Sequence, residues 1–312
     1  MNRGRYKKSN RRKRKIRNII IISVVAAITL FIIFLAVGLS LSEKTKNNKP
    51  NDKAVTQEDE TDKKGARKVK EVNAYPLPLL EDDSIFSTRL SKIKEGASAV
   101  CVSLNRPDGT LLYRSEIASK FSYLTVASDA SKLSTYIDSI EDESLYTTAT
   151  LYVPTFKETD SDLEADVELS IWGSVACEAI RGGVGDVLLI AREATAEDVD
   201  KLCSLADRIH ITEEKAVIGL CLPSEIFEEE KSVTLIDTLS KSFDYLAFDA
   251  TNVKGEGTLS ENIAAEIKEV QHQLLYHKMR VLLPRGASPE ELDSLTDTVT
   301  THAISSWQIL PH

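Results

Sequence analysis

The sequence contains few of the residues from which metal sites are built. Its 312 residues include four cysteines and five histidines, with no C-x-x-C pair and no Cys/His spacing of the kind that binds zinc. We therefore expect no metal site. Every cysteine lies in an apolar strand or helix pattern, which favours buried free thiols over the disulfides that a location outside the cytoplasm would permit. The cysteines are Cys101, Cys177, Cys203 and Cys221.

Phosphate-binding and hydrolase signatures are also missing. Neither G-x-G-x-x-G nor G-x-x-x-x-G-K-[ST] follows a predicted strand, so no nucleotide cofactor is indicated. The glycines of Gly182-Gly183-Val184-Gly185 come before a strand, an order typical of a helix end rather than a phosphate loop. The G-x-S-x-G turn of α/β-hydrolases is absent as well. The sequence therefore implies no cofactor.

The N-terminus is strongly basic and then strongly apolar. The first 18 residues contain ten Lys or Arg and no acid, and Ile19–Leu41 are 23 consecutive positions without a charge. That length crosses a hydrocarbon core of about 30 Å. The basic side stays in the cytoplasm by the positive-inside rule. The alternative is a cleaved signal peptide, but its apolar region would be only about 7–15 residues long.

We predict four segments in a single-pass cell-membrane protein. They are a basic cytoplasmic tail (1–18), a transmembrane helix (19–41), a disordered charged linker (42–74) and an extracytoplasmic α/β domain (75–312). The whole chain carries −9 and the tail +10, so residues 19–312 carry −19. An acidic exterior domain disfavours nucleic acid as a partner. Membrane lipid is the partner expected for the basic tail and the transmembrane helix.

Short apolar runs alternate with amphipathic stretches in the predicted outer domain. This alternation favours parallel strands covered by helices, and the number of units favours a TIM-like (β/α) barrel of seven or eight strands over a doubly wound sheet. A further candidate strand at Tyr123–Ala127 would make eight. The other predicted strands are Ala99–Leu104, Thr147–Val153, Asp186–Arg192, Ala216–Leu222, Tyr245–Asp249, Met279–Pro284 and Ala303–Ile309.

In such barrels the active site is built at the C-terminal ends of the strands. Asp249 and Glu193 end non-adjacent predicted strands, and two carboxylates across a cleft suit glycoside hydrolysis. Alternatively, Glu193 caps the next helix and Asp249 orders its own loop. Trp307 either stacks on a sugar or packs in the core. The candidate substrate-binding residues are Ser103, Asn105, Tyr152, Lys157, Glu158, Arg192, Asn252, Arg285 and Trp307.

The stretch from Ala99 to Ser115 resembles the opening of a bacterial family of predicted glycoside hydrolases. Those proteins are membrane-anchored or secreted TIM-barrel domains of largely undefined activity. Their first strand is followed by Asp-Gly and a Tyr-x-Ser, which Asp108-Gly109 and Tyr113 to Ser115 match without a gap. Phe156-Lys157-Glu158 and the stretch from Phe243 to Asp249 are similar to later strands of that family. The resemblance implies a TIM barrel outside the cytoplasm.

Several positions depart from the pattern of that family. Ser103 stands where the family has an inward Asp, Asn105 replaces a Lys, Thr150 replaces an Arg, and Ala191 replaces an Asp. Ser and Ala cannot act as the nucleophile or general acid for a glycosidic bond. The resemblance thus implies a diverged member that binds carbohydrate or is catalytically degenerate. Two alternatives are an active glycosidase that uses Asp249 on a cell-wall or exopolysaccharide glycan, and a protein-interaction domain of the envelope.

Overall fold

The computed structural model describes residues 67–80, 82–122, 124–153, 165–222, 232–253, 258, 261–265, 279–284 and 306–311. The predicted basic tail, transmembrane helix and most of the linker lie outside these residues, as do Lys157, Glu158 and Arg285. Within the described part of the chain, no helix has both the length and the apolar character needed to cross a bilayer.

Eight parallel strands close into a barrel in chain order, with the first strand paired to both the second and the last. This arrangement confirms the predicted TIM-like barrel. The strands are β1 (Asn73–Pro76), β2 (Ala99–Ser103), β3 (Tyr146–Tyr152), β4 (Asp186–Ile190), β5 (Ile218–Leu222), β6 (Tyr245–Asp249), β7 (Met279–Leu283) and β8 (Trp307–Ile309).

Helices cover the outside of the sheet and bury their apolar faces against it. Their bounds are α1 (Asp83–Lys94), α2 (Leu133–Asp142), α3 (Ala165–Arg181), α4 (Val199–Thr212) and α5 (Ser232–Ser242). Before α4, a single 3₁₀ turn over Ala196–Asp198 carries a capping box, in which the N–H of Thr195 donates to the Asp198 carboxylate. This capping box marks the start of the helical segment that continues into α4.

The eighth strand is β1, so its predicted location at Tyr123–Ala127 is wrong. Val126 makes only an isolated bridge to Leu111 outside the barrel. By contrast, Ala74, Tyr75 and Pro76 pair in register with β2, and Asn73 and Ala74 pair with β8. The predicted linker included Asn73 and Ala74 because polar residues dominate the stretch before them.

The chain reaches β1 along the N-terminal end of the barrel. Arg67 donates through Nε to the carbonyl of Glu214 and through Nη1 to Asp244. Asp244, just before β6, also accepts from the N–H of Ile218, and its other partner is the Nε2 of His210 at 3.1 Å. These bonds attach the described residues that precede β1 to the β5–β6 side of the barrel.

The N-terminal half of the barrel interior is polar and contains a fully buried ion pair. Arg280 and Asp186 are both completely enclosed, with 2.9 Å between Nη1 and Oδ1 and 3.1 Å between Nη2 and Oδ2. Burial by itself lowers the pKa of Arg280, but the charge and hydrogen bond of Asp186 together with the interactions of Tyr245 and Tyr146 outweigh it, and the net shift is upward. Arg280 also donates to Thr148, Tyr245 and Gln308.

A glycine on β5 makes room for this network. Gly219 lies between Leu188 of β4 and Tyr245 of β6 in the sheet register. A Cβ atom at Gly219 would lie 2.2 Å from the Tyr245 ring. The ring therefore crosses the β5 backbone, and its hydroxyl donates to Asp186 on β4.

All four cysteines are free thiols, as their apolar surroundings predicted. Cys101 and Cys221 face the barrel interior, Cys177 is buried on α3, and Cys203 is half-buried on α4. Burial raises the pKa of the Cys101 and Cys221 thiols, which suppresses the reactive thiolate.

Candidate functional site

Two residues proposed independently from the sequence meet at the C-terminal end of the barrel. Arg192, just after β4, donates from Nε to Oδ2 of Asp249 at 2.7 Å and from Nη2 to Oδ1 at 3.4 Å. Asp249 is the last residue of β6. The pair bridges over β5, and the interior residue of β5 one layer below it is Cys221, in register with Ile190 and Ala247.

Asp249 also orders the turn that follows its strand. Its Oδ1 accepts from the N–H of Thr251 at 3.0 Å and from the Thr251 hydroxyl at 2.5 Å. Arg192 Nη2 donates to the same hydroxyl at 2.6 Å. The loop-ordering role considered for Asp249 is therefore present in the structure. Sequence reasoning missed Thr251 as a site residue, although a threonine two positions after an aspartate favours this type of turn.

The ion pair presents its cation outward. The Arg192 side chain is 33% exposed and that of Asp249 is 9% exposed. Burial lowers the pKa of Arg192, but its hydrogen bond and charge interaction with Asp249 reverse this effect and give a net rise. The guanidinium carbon lies 5.8 Å from the centre of the Tyr152 ring. Burial raises the pKa of Tyr152 to about 12, so its hydroxyl remains protonated near neutral pH.

Ser103 and Asn105 connect the ends of β2 and β3. The hydroxyls of Ser103 and Thr150 are 2.9 Å apart. The Asn105 side chain donates to the carbonyl of Tyr152 and accepts from its N–H, both at 2.8 Å. Ser103 and Asn105 are fully buried, so they support the backbone under Tyr152 rather than presenting polar groups to a ligand.

The remaining nominated residues are spread over different surroundings. Glu193 and Asn252 are exposed in the turns after β4 and β6. Trp307 is buried in the layer between strands and helices, where its ring meets Tyr75 edge-on with 5.3 Å between ring centres. Trp307 therefore occupies the core-packing role considered for it. The capping box before α4 is formed by Thr195 and Asp198.

One strand, β6, ends in a carboxylate. The other strands end at Pro76, Ser103, Tyr152, Ile190, Leu222, Leu283 and Ile309. Retaining glycosidases use two carboxyl groups about 5–5.5 Å apart, and inverting ones use a pair about 6.5–9.5 Å apart. Asp249 provides one carboxylate, and both of its oxygens accept hydrogen bonds. The arrangement offers a fixed guanidinium and a charged acceptor rather than a proton donor.

The residues that carry the family resemblance shape a loop. Asp108 accepts from the backbone N–H two residues later, and Gly109 has a φ of 85°, a conformation that favours glycine. Tyr113 and Ser115 both donate to the carboxylate of Glu178 on α3. In this chain these residues attach the β2–α2 loop to α3.

Two described cavities lie away from the C-terminal strand ends. The larger, of about 570 Å³, is at the N-terminal end of β2, β3 and β4 and is lined by residues that include Lys70, Tyr146 and Gly185. The smaller, of about 180 Å³, lies between α3 and α4. The described residues include no group of three or more His, Cys, Asp or Glu side chains placed to hold a metal ion.

No protein-family model and no curated protein matches the sequence. A predicted alpha-L-fucosidase from Bacteroides thetaiotaomicron VPI-5482 has a similar structure, with a TM-score of 0.55, 12% identity, and coverage of 80% of this chain and 91% of its own. A GH18 chitinase from Pseudoalteromonas aurantia (TM-score 0.49, 10% identity, coverage 76% and 93%) and the spore cortex-lytic enzyme SleL from Bacillus megaterium QM B1551 (0.49, 6%, 76% and 69%) are also similar. Because identities are this low, the likeness concerns the fold. The chain has a (β/α)₈ barrel whose fold is similar to that of the predicted fucosidase.

Proposed function

We propose that this protein is anchored in the cell membrane by residues 19–41 and that its barrel binds carbohydrate in the cell envelope without hydrolysing it. The uncharged run after a basic tail supports the anchor. The fold shared with the predicted fucosidase supports a carbohydrate ligand.

The ion pair of Asp249 with Arg192 is the observation that argues against hydrolysis. A general acid must carry a proton, and a nucleophilic carboxylate must be free to approach the sugar carbon. Asp249 instead accepts from Arg192 and Thr251 through both oxygens. The interactions favour a charged, orienting role for this carboxylate.

The active-glycosidase alternative draws its support from the position of Asp249, because barrel enzymes place catalytic residues at strand ends. Glu193 is the second carboxylate that this alternative requires. The interaction-domain alternative would need a large exposed apolar patch. The exposed large apolar side chains on the described surface are Ile85, Val167 and Ile211, and each lies on a different helix.

The test combines binding and turnover on the purified full chain, in a detergent without a sugar headgroup. We would measure the melting shift and the release of reducing ends with cell-wall and exopolysaccharide glycans. We expect a melting shift without product. Asp249→Asn should weaken the shift because it removes the negative charge and replaces one of the two acceptor oxygens that fix Arg192 with an amide donor. Asp138→Asn, an exposed change on α2, is the matched control and should leave it intact.

Two outcomes would contradict the proposal. Product release by the wild-type chain that Asp249→Asn abolishes and Asp138→Asn preserves would establish a glycosidase. The absence of both binding and product across all glycans would exclude a carbohydrate function and favour a protein partner.

A further inference from the structure

Arg192 uses only part of its donor capacity within the described structure. Nε and Nη2 donate to Asp249 and Thr251. Among the described residues, Nη1 has no hydrogen-bond partner, so its two N–H groups remain available. A third of the Arg192 side chain is exposed. The free donors thus belong to a side chain that a ligand can reach.

These donors are held in a defined position. Asp249 accepts along one side of the planar guanidinium, and Thr251 accepts from the adjoining nitrogen at 2.6 Å. The backbone of the neighbouring Tyr152 is itself fixed by two bonds from Asn105. A donor that is already ordered loses little conformational entropy when it binds, which makes Arg192 suited to recognition.

Local and overall charge both argue for an uncharged ligand group. Asp249 compensates the positive charge of Arg192 at 2.7 Å. Residues 19–312 carry −19, since the whole chain carries −9 and the first 18 residues +10. An anionic polymer would be repelled by this domain. Neutral hydroxyl or amide oxygens still accept hydrogen bonds from the free Nη1 donors.

We infer that Arg192 is a specificity-determining residue that binds neutral hydroxyl or amide oxygens, so that the barrel prefers uncharged glycans to uronic acid or phosphate polymers. This inference rests on the proposed carbohydrate-binding function. It assigns Asp249 a second role, which is to keep Arg192 from attracting anions.

The test compares dissociation constants for neutral and uronic acid oligosaccharides of equal length, on the full chain at low and high salt. Wild-type protein should bind the neutral series more tightly. Arg192→Ala should weaken that binding about ten-fold or more, the typical loss for hydrogen bonds from a charged donor. Arg192→Lys keeps the charge without the planar fork and should also lose affinity at an unchanged melting temperature. Arg208→Ala, an exposed arginine on α4, should change nothing.

Asp249→Asn provides a test with the opposite sign. It leaves Arg192 without its counter-charge, so affinity for uronic acid oligosaccharides should rise, most strongly at low salt. Unchanged neutral affinity in Arg192→Ala, or a wild-type preference for uronic acids, would overturn the inference while carbohydrate binding stands. Failure of every glycan to bind the wild-type chain would overturn the proposed function, and this inference with it.

Discussion

The Arg280–Asp186 ion pair is enclosed by the barrel, whereas the Arg192–Asp249 ion pair is partly exposed at its C-terminal end. Arg280 and Asp186 are fully enclosed at the N-terminal end, and Arg280 makes further bonds to Thr148, Tyr245 and Gln308. Taking both charges out of water costs several kcal/mol per ion, and such a pair is tolerated only when other bonds satisfy its remaining groups. The N-terminal face of these barrels generally serves stability, and we assign this pair that role.

A double-mutant cycle tests this assignment. Arg280→Met should lower the free energy of unfolding by about 3–5 kcal/mol, because it leaves Asp186 buried without a counter-charge. Combining it with Asp186→Asn should cost less than the sum of the two single changes, with a coupling of about 0.5–3 kcal/mol. The measurement is urea unfolding of the wild type, both single variants and the double variant. Simple additivity would show that the two residues do not act as a pair.

The Arg192–Asp249 pair shows how much of the candidate site could be predicted from the sequence. The rule that barrel sites lie at strand ends identified both Arg192 and Asp249. It did not predict their contact, since that depends on how β4, β5 and β6 are ordered in the closed barrel. The buried ion pair had a signal in the sequence, namely the charged residue Arg280 inside the apolar strand Met279–Leu283.

At the scale of the element, the start of α4 shows how a helix end is specified locally. Asp198 accepts from the N–H and hydroxyl of Thr195 at 3.0 and 2.8 Å, and Lys201 lies 3.3 Å away. Burial acts to raise the pKa of Asp198, but these bonds outweigh it and lower the pKa below its ordinary value. A lowered pKa in the folded state stabilises the protein above the unfolded pKa of about 3.9, and this contribution is lost as pH falls through the lower folded value.

Asp198→Asn should therefore destabilise the chain by about 1 kcal/mol at pH 7, as expected for a weakened helix cap. The difference from wild type should begin to shrink as the pH drops below about 3.9, where the carboxyl of the unfolded chain becomes protonated, and should disappear once the pH is below the lower pKa of the folded state. Unfolding free energies of the wild type and the variant, measured at pH 7 and at pH 3, give the difference in stability at each pH. Asp200→Asn, an exposed change in the first turn of the same helix, is the control. A loss that does not depend on pH would rule out the ionised cap.

Strands were predicted correctly where an apolar sequence marks a buried strand. They were missed where the strand depends on pairing with strands distant in sequence. Runs such as Tyr245–Phe248 of β6 are buried and mostly apolar, because parallel strands are covered on both faces. β1 has four residues that include a proline, and its place depends on hydrogen bonds to β2 and β8, which are distant in sequence. The Tyr123–Ala127 stretch has the composition of a strand but no place in the barrel ladder.

At the scale of the whole molecule, the β1–β8 pairing closes the sheet, and the residues just before β1 belong to the barrel. Arg67 is bonded to Asp244 and to the carbonyl of Glu214, and Val72 is buried. A fragment that starts after Arg67 would lose these bonds. The compact unit that contains the barrel begins at Lys63, which gives a natural start for a soluble fragment.

The full chain is proposed to span the membrane once, with the barrel outside the cytoplasm. Sedimented membranes should retain the chain after alkaline carbonate extraction, because an apolar span of 23 residues remains inserted when peripheral proteins are released. Trypsin added to spheroplasts should cut the lysine-containing linker and release a folded fragment whose N-terminus lies between Ser42 and Arg67. Leu30→Arg combined with Leu35→Arg should abolish retention, since each arginine costs about 2.5–3.5 kcal/mol at the centre of a span.

Release of the untreated chain, with a new N-terminus near Leu41, would instead establish a cleaved signal peptide. Retention with no fragment released from spheroplasts would place the barrel on the cytoplasmic side, and an envelope glycan could then not be its ligand.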